Sequence, residues 1–108
     1  MVYSNQLKAE LAGVDPQLIA KHGAVSREVA IALAEGIRAR CDATFGLAIT
    51  GIAGPSGGSD EKPVGLVWLA ISDDDGTEVI EKRFPGERNG IRFYASQQGL
   101  DMVRRRLL

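Results

Sequence analysis

The sequence has one cysteine and one histidine in 108 residues. Cys41 therefore has no partner for an internal disulfide, and neither a cysteine-based metal site nor a histidine cluster can be assembled. A reducing compartment suits such a chain, and neither a metal nor a cofactor is expected. An excess of charge of one sign is missing too, because 13 Lys plus Arg against 14 Asp plus Glu leave a formal net charge of −1. No global positive field is available to hold a polyanion, so nucleic acid is not an expected partner. The run Arg104-Arg105-Arg106 is a local exception, and three arginines closing a helix complement its dipole or solvate its surface. No apolar run comes near the ~20 residues that a membrane span requires, and Met1-Val2-Tyr3-Ser4-Asn5 has no basic-then-apolar leader. The expected location is the cytoplasm, with no membrane partner.

What is present is the balance of a globular domain. The chain is 44% hydrophobic and 25% charged, far from the composition of disorder. Its length fits one domain, residues 1–108, and chains of this size bury roughly 60 to 70% of the surface they expose when unfolded. Leu7 and Leu11 fall four apart between Asn5 and Ala12, a short helical pattern that Gly13 can end. Asp15-Pro16 supplies an N-cap and a preorganised first position for a second short helix through Leu18, Ile19 and His22, which Gly23 stops. His22 is read here as part of that helix end rather than as a catalyst. Ser26 caps the clearest helix, in which Val29, Leu33 and Ile37 repeat every four residues while Ala30, Ala34 and Cys41 widen the stripe.

The periodicity then changes. Phe45 to Ile49 is a short apolar run of the kind found in a buried strand, and the glycine-rich stretch from Thr50 to Gly58 follows as a loop. Val64 to Ile71 predicts a second buried strand. Asp73-Asp74-Asp75-Gly76 signals a turn into a third, Thr77 to Phe84, closing a hairpin. After Pro85-Gly86, residues Ile91, Ala95, Leu100, Val103 and Leu107 are expected to share one face of a last helix, despite Gly90 and Gly99. The class is α/β. Three strands with four helices make a thin sheet, and Met1-Val2-Tyr3 reads as the tail of an element whose beginning is absent.

Three places can carry chemistry. The loop holds Gly51, Gly54, Gly57 and Gly58 directly after a strand, where backbone amides can turn toward an anion; the alternative is a plain surface connection. It has neither the Gly-Lys-Ser/Thr ending of a P-loop nor the Gly-x-Gly-x-x-Gly spacing of a dinucleotide fold. Lys8 can act as a general base if burial removes its proton, or can simply be solvated. Arg88 can grip a carboxylate or phosphate at two points, or form a surface ion pair.

Taken together, Tyr3-Ser-Asn-Gln-Leu-Lys8, His22-Gly-Ala-Val-Ser26, Thr50-Gly-Ile-Ala-Gly-Pro55, Lys62-Pro-Val-Gly65 and Phe84-Pro-Gly-Glu-Arg88 resemble, in order and spacing, the CinA C-terminal domain family. The resemblance covers essentially the whole chain and implies a three-layer α/β/α sandwich, here truncated at its N-terminal strand and helix. It also implies the activity of nicotinamide-nucleotide amidases, which serve NAD recycling by converting nicotinamide mononucleotide to nicotinate mononucleotide and ammonia. On that resemblance Lys8 and Thr50 are catalytic, and Tyr3, Asn5, Gly51, Gly54, Gly57, Gly58 and Arg88 hold a small nucleotide substrate. Lys8, Thr50 and Arg88 are expected to converge on one concavity.

One departure matters. Family members carry, upstream of the Tyr-Ser-Asn stretch, a Glu-Ser-Cys-Thr-Gly-Gly motif whose serine is taken as the nucleophile, and this sequence contains no such run. Amide hydrolysis needs an attacking hydroxyl, a base and oxyanion donors, and Lys8 with the loop amides can supply only the last two. Ser4 lies four residues from Lys8, yet nothing in the resemblance places the attacking group there. The expected activity is therefore weak or absent, with a non-catalytic nucleotide-binding module or partner subunit as the alternative and an incorrectly started or fragmentary sequence as a third reading. A missing first layer is also expected to expose a sheet edge near Val2, Tyr3 and Phe45 to Ile49, and so to drive homo-oligomer formation.

Overall fold

A computed structural model describes residues 13–51, 65–84 and 88–107. Helix α1 spans Pro16–His22, α2 Arg27–Cys41 and α3 Arg88–Leu107; strands β1, β2 and β3 span Gly46–Gly51, Leu66–Asp73 and Gly76–Arg83. The expected helix between Asn5 and Ala12 lies outside the described residues. Capping follows the chemistry of the sequence. The Asp15 carboxylate accepts from the Gln17 amide 2.9 Å away, Pro16 opens α1, and Gly23 at φ 82° closes it with its N–H on the Ile19 carbonyl. Ser26 caps α2 by accepting from Val29 N–H at 3.3 Å, and Asp42 ends that helix in the left-handed conformation.

The three strands form one antiparallel sheet in the order β1-β2-β3. Asp74 and Asp75 make the two-residue hairpin turn, which sets Asp73 opposite Gly76 and fixes every later pair. On one face the rows Ala48-Ala70-Val79 and Thr50-Trp68-Glu81 run straight across the sheet. Against that face α1 and α2 bury Val14, Ile19, Val29, Ala30, Leu33 and Ala34. The two small residues Ala48 and Ala70 let α2 lie close. On the other face Val67, Leu69 and Ile71 pack beneath Ile91, Ala95 and Met102 of α3. Helices on both faces of one sheet make the α/β/α sandwich, and its two cores are separated by the sheet itself. Among the described residues no helix is long and apolar enough to cross a membrane.

The structure corrects several sequence expectations. Leu100 and Leu107 are 63% and 68% exposed, so they do not share the buried face of α3. Leu100 lies nine residues after Ile91, about half a turn away on a helix of 3.6 residues per turn, and the inner stripe runs instead through Ile91, Ala95, Gly99 and Met102. Gly99 belongs there because a β-carbon would sit 3.1 Å from methyl groups of Leu47 and Ile49, which is how closely α3 lies on β1. Cys41 is exposed rather than part of the α2 stripe. β1 is not wholly buried, since Ile49 is 41% exposed on an edge strand that α3 covers in part. It also runs two residues further than the apolar run suggested: Thr50 and Gly51 pair with Trp68 and Val67 and belong to the strand, not to the loop.

Candidate functional site

The end of the sheet where β1 and β3 finish and β2 begins holds Thr50 and Gly51. Thr50 is buried, and its hydroxyl donates to the Ala24 carbonyl oxygen at 2.7 Å. That bond ties the end of β1 to the connection between α1 and α2. Ser26 holds the same connection from its other side, donating to the Gly23 carbonyl at 2.8 Å while capping α2. Next to Thr50, Gly51 has no room for a side chain: a β-carbon would meet Val67 Cγ2 at 2.7 Å and the Leu66 carbonyl oxygen at 2.9 Å. Gly65, at φ 95°, accepts from the Phe84 amide at 2.9 Å and closes the sheet at this end.

At Trp68, the cross-strand neighbour of Thr50, the sheet and the residues around the start of α2 flank an open groove of about 350 Å³ that Thr50 itself does not line. Its floor comes from two cross-strand pairs, Trp68 with Glu81 and Leu66 with Arg83; its roof includes His22, Val25, Arg27 and Glu28. His22 Nδ1 lies 3.8 Å from the Glu28 carboxylate. The groove thus offers an indole, two guanidiniums and two carboxylates in a volume suited to a small ligand. The sequence expectations did not include Trp68, Glu81, Arg83 or Arg27. The sequence does hold a signal for three of them: a two-residue turn at Asp74-Asp75 is enough to set Trp68 opposite Glu81 and Leu66 opposite Arg83.

The opposite end of the sheet carries a second polar cluster beside a cavity of about 380 Å³. Arg106 of α3 bonds Asp73 at 2.6 Å and reaches Glu78 at 3.6 Å, Arg38 of α2 pairs with Asp74, and Thr77 donates to Glu35 at 2.7 Å. The hydrogen bond from Arg106 holds the Asp73 carboxyl below the usual carboxylate range, helped by the Asp75 amide. Arg106 is correspondingly raised, chiefly by its bond to Asp73. These charges are satisfied by one another and strap both helix layers to the hairpin turn. Arg104 and Arg105 both pair with Asp101 within α3, so with Arg106 on Asp73 the whole basic run is engaged in ion pairs. Among the described residues no cluster of three or more His, Cys, Asp or Glu could hold a metal ion.

Of the residues expected to form the site, Thr50 and Gly51 close β1, and Arg88 opens α3 five residues after β3 ends. Lys8, Tyr3, Asn5, Gly54, Gly57 and Gly58 lie outside the described residues, as do Val2 and Val64. The family model of the CinA C-terminal domain matches residues 1–107. The chain belongs to that family. It is 66% identical, over its whole length, to a CinA-like protein of Acidobacterium capsulatum and 57% identical to one of Koribacter versatilis. In both cases it spans about a quarter of the relative, 26%. The competence/damage inducible protein CihA of Agrobacterium tumefaciens superposes with a TM-score of 0.91 at 41% identity, covering 94% of this chain and 63% of that one. A CinA superfamily protein of Enterobacter cloacae gives 0.90 at 31% identity, covering 99% and 63%. The α/β/α sandwich described above is therefore a fold that family members share.

Proposed function

We propose that this chain is a nicotinamide-nucleotide amidase-type domain that binds nicotinamide mononucleotide at the Thr50 end of the sheet and takes part in the hydrolysis of its carboxamide. The observation that carries this reading is the fixed Thr50 hydroxyl, in a cross-strand row with Trp68 and Glu81, both of which line the groove. Membership of the family supports it. Because the Thr50 hydroxyl donates its hydrogen bond to the Ala24 carbonyl, its oxygen can serve a further partner only as an acceptor. It suits orienting an ammonium or an amide N–H, and is ill suited to being the attacking group. Lys8, neutral, is the base in this proposal, and Arg88 and the glycine-rich loop bind the phosphate or polarised groups. The product is the carboxylate, with ammonia leaving.

The Thr50 hydroxyl, engaged by the Ala24 carbonyl and so unsuited to attack, also fits a second reading, a nucleotide-binding module without turnover. Calorimetric titration with nicotinamide mononucleotide, run beside an ammonia-release assay, separates the two. Slow ammonia release that Thr50→Val abolishes supports the amidase reading. Saturable binding without ammonia identifies the module, and absence of binding refutes both.

A further inference from the structure

The two edges of the sheet are built differently. β3 carries Glu78, Glu81, Lys82 and Arg83, and charges of this kind keep a free edge from recruiting another strand. β1 has no charged residue, and among the described residues it pairs with β2 alone. The helix above it is unguarded on the same side. Gly99 marks the flank of α3 that lies over β1, since a β-carbon there would meet Leu47 and Ile49, while the stacking of Tyr94 on Phe84, 6.1 Å between ring centres, marks the flank toward the end of β3. Leu100 lies one residue, about 100°, further round from Gly99, away from the core and on the β1 side. Phe93 and Leu107 are seven residues before and after it, close to two full turns, so the three form one stripe. All three are exposed, as is Ile49 below them. An uncharged strand edge and an apolar helix flank thus open in the same direction.

We propose that this side of the domain binds a second copy of the chain, β1 pairing antiparallel with its counterpart about a two-fold axis beside Ala48 and α3 packing on the α3 of the other copy. The surface is independent of the functional reading above and gives the expected homo-oligomer a definite contact. Two-fold closure is the commonest arrangement of identical subunits. With the axis perpendicular to the sheet, Leu47 of each copy comes opposite Ile49 of the other on the α3 face, and six strands make one continuous sheet. The same operation brings the helices together. The axis lies half a strand spacing outside β1, and α3 lies over β1 and β2, half a spacing inside it, so the two helix axes come roughly 10 Å apart, the distance at which helices pack. Because Gly99 rests on Leu47 and Ile49, either side of Ala48, the axis passes beside Leu100. Leu100 meets its counterpart there, and Phe93 meets Leu107 of the other copy two turns away. The charge of the neighbouring Arg104 is already balanced by Asp101. A face as long as the 20-residue α3, about 30 Å, and about 20 Å deep offers roughly 600 Å² per copy, which belongs to a dimer with a Kd in the tens of micromolar.

Sedimentation velocity of the full chain between about 1 and about 200 µM should show a monomer–dimer equilibrium centred in the tens of micromolar. Leu100→Lys sets two like charges at the axis and should weaken that equilibrium at least about tenfold. At about 1 µM, where the copies are apart, the same variant should keep the urea midpoint of the parent, because Leu100 is exposed in a single copy. Lost pairing is thereby separated from lost folding. Cross-linking reads the geometry, in a Cys41→Ser background because Cys41 is itself exposed. Mild oxidation at about 50 µM should trap Leu100→Cys as a disulfide-linked dimer at least about tenfold faster than Lys82→Cys on the opposite edge of the sheet. A chain that stays monomeric at about 200 µM overturns the proposal and leaves the β1 edge to a strand of a different polypeptide. A dimer indifferent to Leu100→Lys, or one trapped equally well through Lys82→Cys, puts the contact elsewhere and overturns it too.

Discussion

Replacing Gly46 by alanine tests how the helix layer is held on the sheet. Gly46 begins β1 beneath α2, and a methyl group there would overlap the Ala34 carbonyl oxygen while lying 2.8 Å from Arg38 Cβ and 3.1 Å from the Ala34 carbonyl carbon. Ordinary contact begins near 3.4 Å, so the obstacle must retreat by more than half an ångström. That obstacle is the backbone of a 15-residue helix rather than the end of a flexible side chain. Lifting α2 loosens its contacts with Ala48 and Ala70 and draws Ala24 away from the Thr50 hydroxyl. Overpacking of this kind costs about 1–3 kcal/mol, and an unyielding partner places Gly46→Ala at the upper end, about 3 kcal/mol. For a domain of this size each kcal/mol moves the midpoint by roughly 4–8 °C, so Tm should fall by about 12 °C or more. Two other glycines supply the controls. Gly90 has nothing within 4 Å of a β-carbon, and Gly90→Ala should gain about 1 kcal/mol from helix propensity alone. Gly99→Ala meets only methyl ends of Leu47 and Ile49, which can move, and should stay within about 1 kcal/mol of the parent. Far-UV circular dichroism melts of the three variants decide the matter. A Gly46→Ala protein within about 0.5 kcal/mol of the parent, or one more stable than Gly90→Ala, would falsify the close approach of α2 to β1.

The two faces of α3 should respond in opposite ways: Met102→Ala, at a site only 3% exposed, should cost about 2–5 kcal/mol in urea unfolding, whereas Leu100→Gln should change stability by no more than about 0.5 kcal/mol. Equal costs would restore Leu100 to the core. The strap at the hairpin end predicts a pH dependence: the Asp73 carboxyl is lowered in the folded state, so its contribution is complete above the ordinary carboxylate pKa of about 3.9 and is lost as pH falls through the lower folded value. Asp73→Asn should therefore melt at a lower temperature than the parent at neutral pH, with the difference shrinking below about pH 4; a constant difference from pH 7 to pH 3 refutes the ion-pair account.

Local rules carried much of the architecture. Asp15-Pro16, Ser26 and Asp73-Asp74-Asp75-Gly76 place two helix starts and a hairpin turn, because capping and turn geometry depend on residues adjacent in the chain. The hairpin register followed from that turn. The faces of α3 did not follow, since Ile91, Leu100 and Leu107 are alike in hydrophobicity and the helix carries apolar residues on more than one side. The buried stripe runs through Ile91, Ala95, Gly99 and Met102, and it is the packing of these residues on β1 and β2 that selects it.

The candidate site divides in the same way. The sequence by itself marked Thr50 and Gly51 as residues next to a strand end and, through the motifs it carries, the family to which the chain belongs. Only the tertiary structure decided that the Thr50 hydroxyl donates to the Ala24 carbonyl, 26 residues earlier in the chain, and that Trp68, Glu81, Arg83 and Arg27 line one groove. Those are long-range facts. They depend on how far α2 stands from the sheet, and that distance is set by Gly46, Ala48 and Ala70 packing under the helix, a sum of contacts that no single stretch of sequence contains.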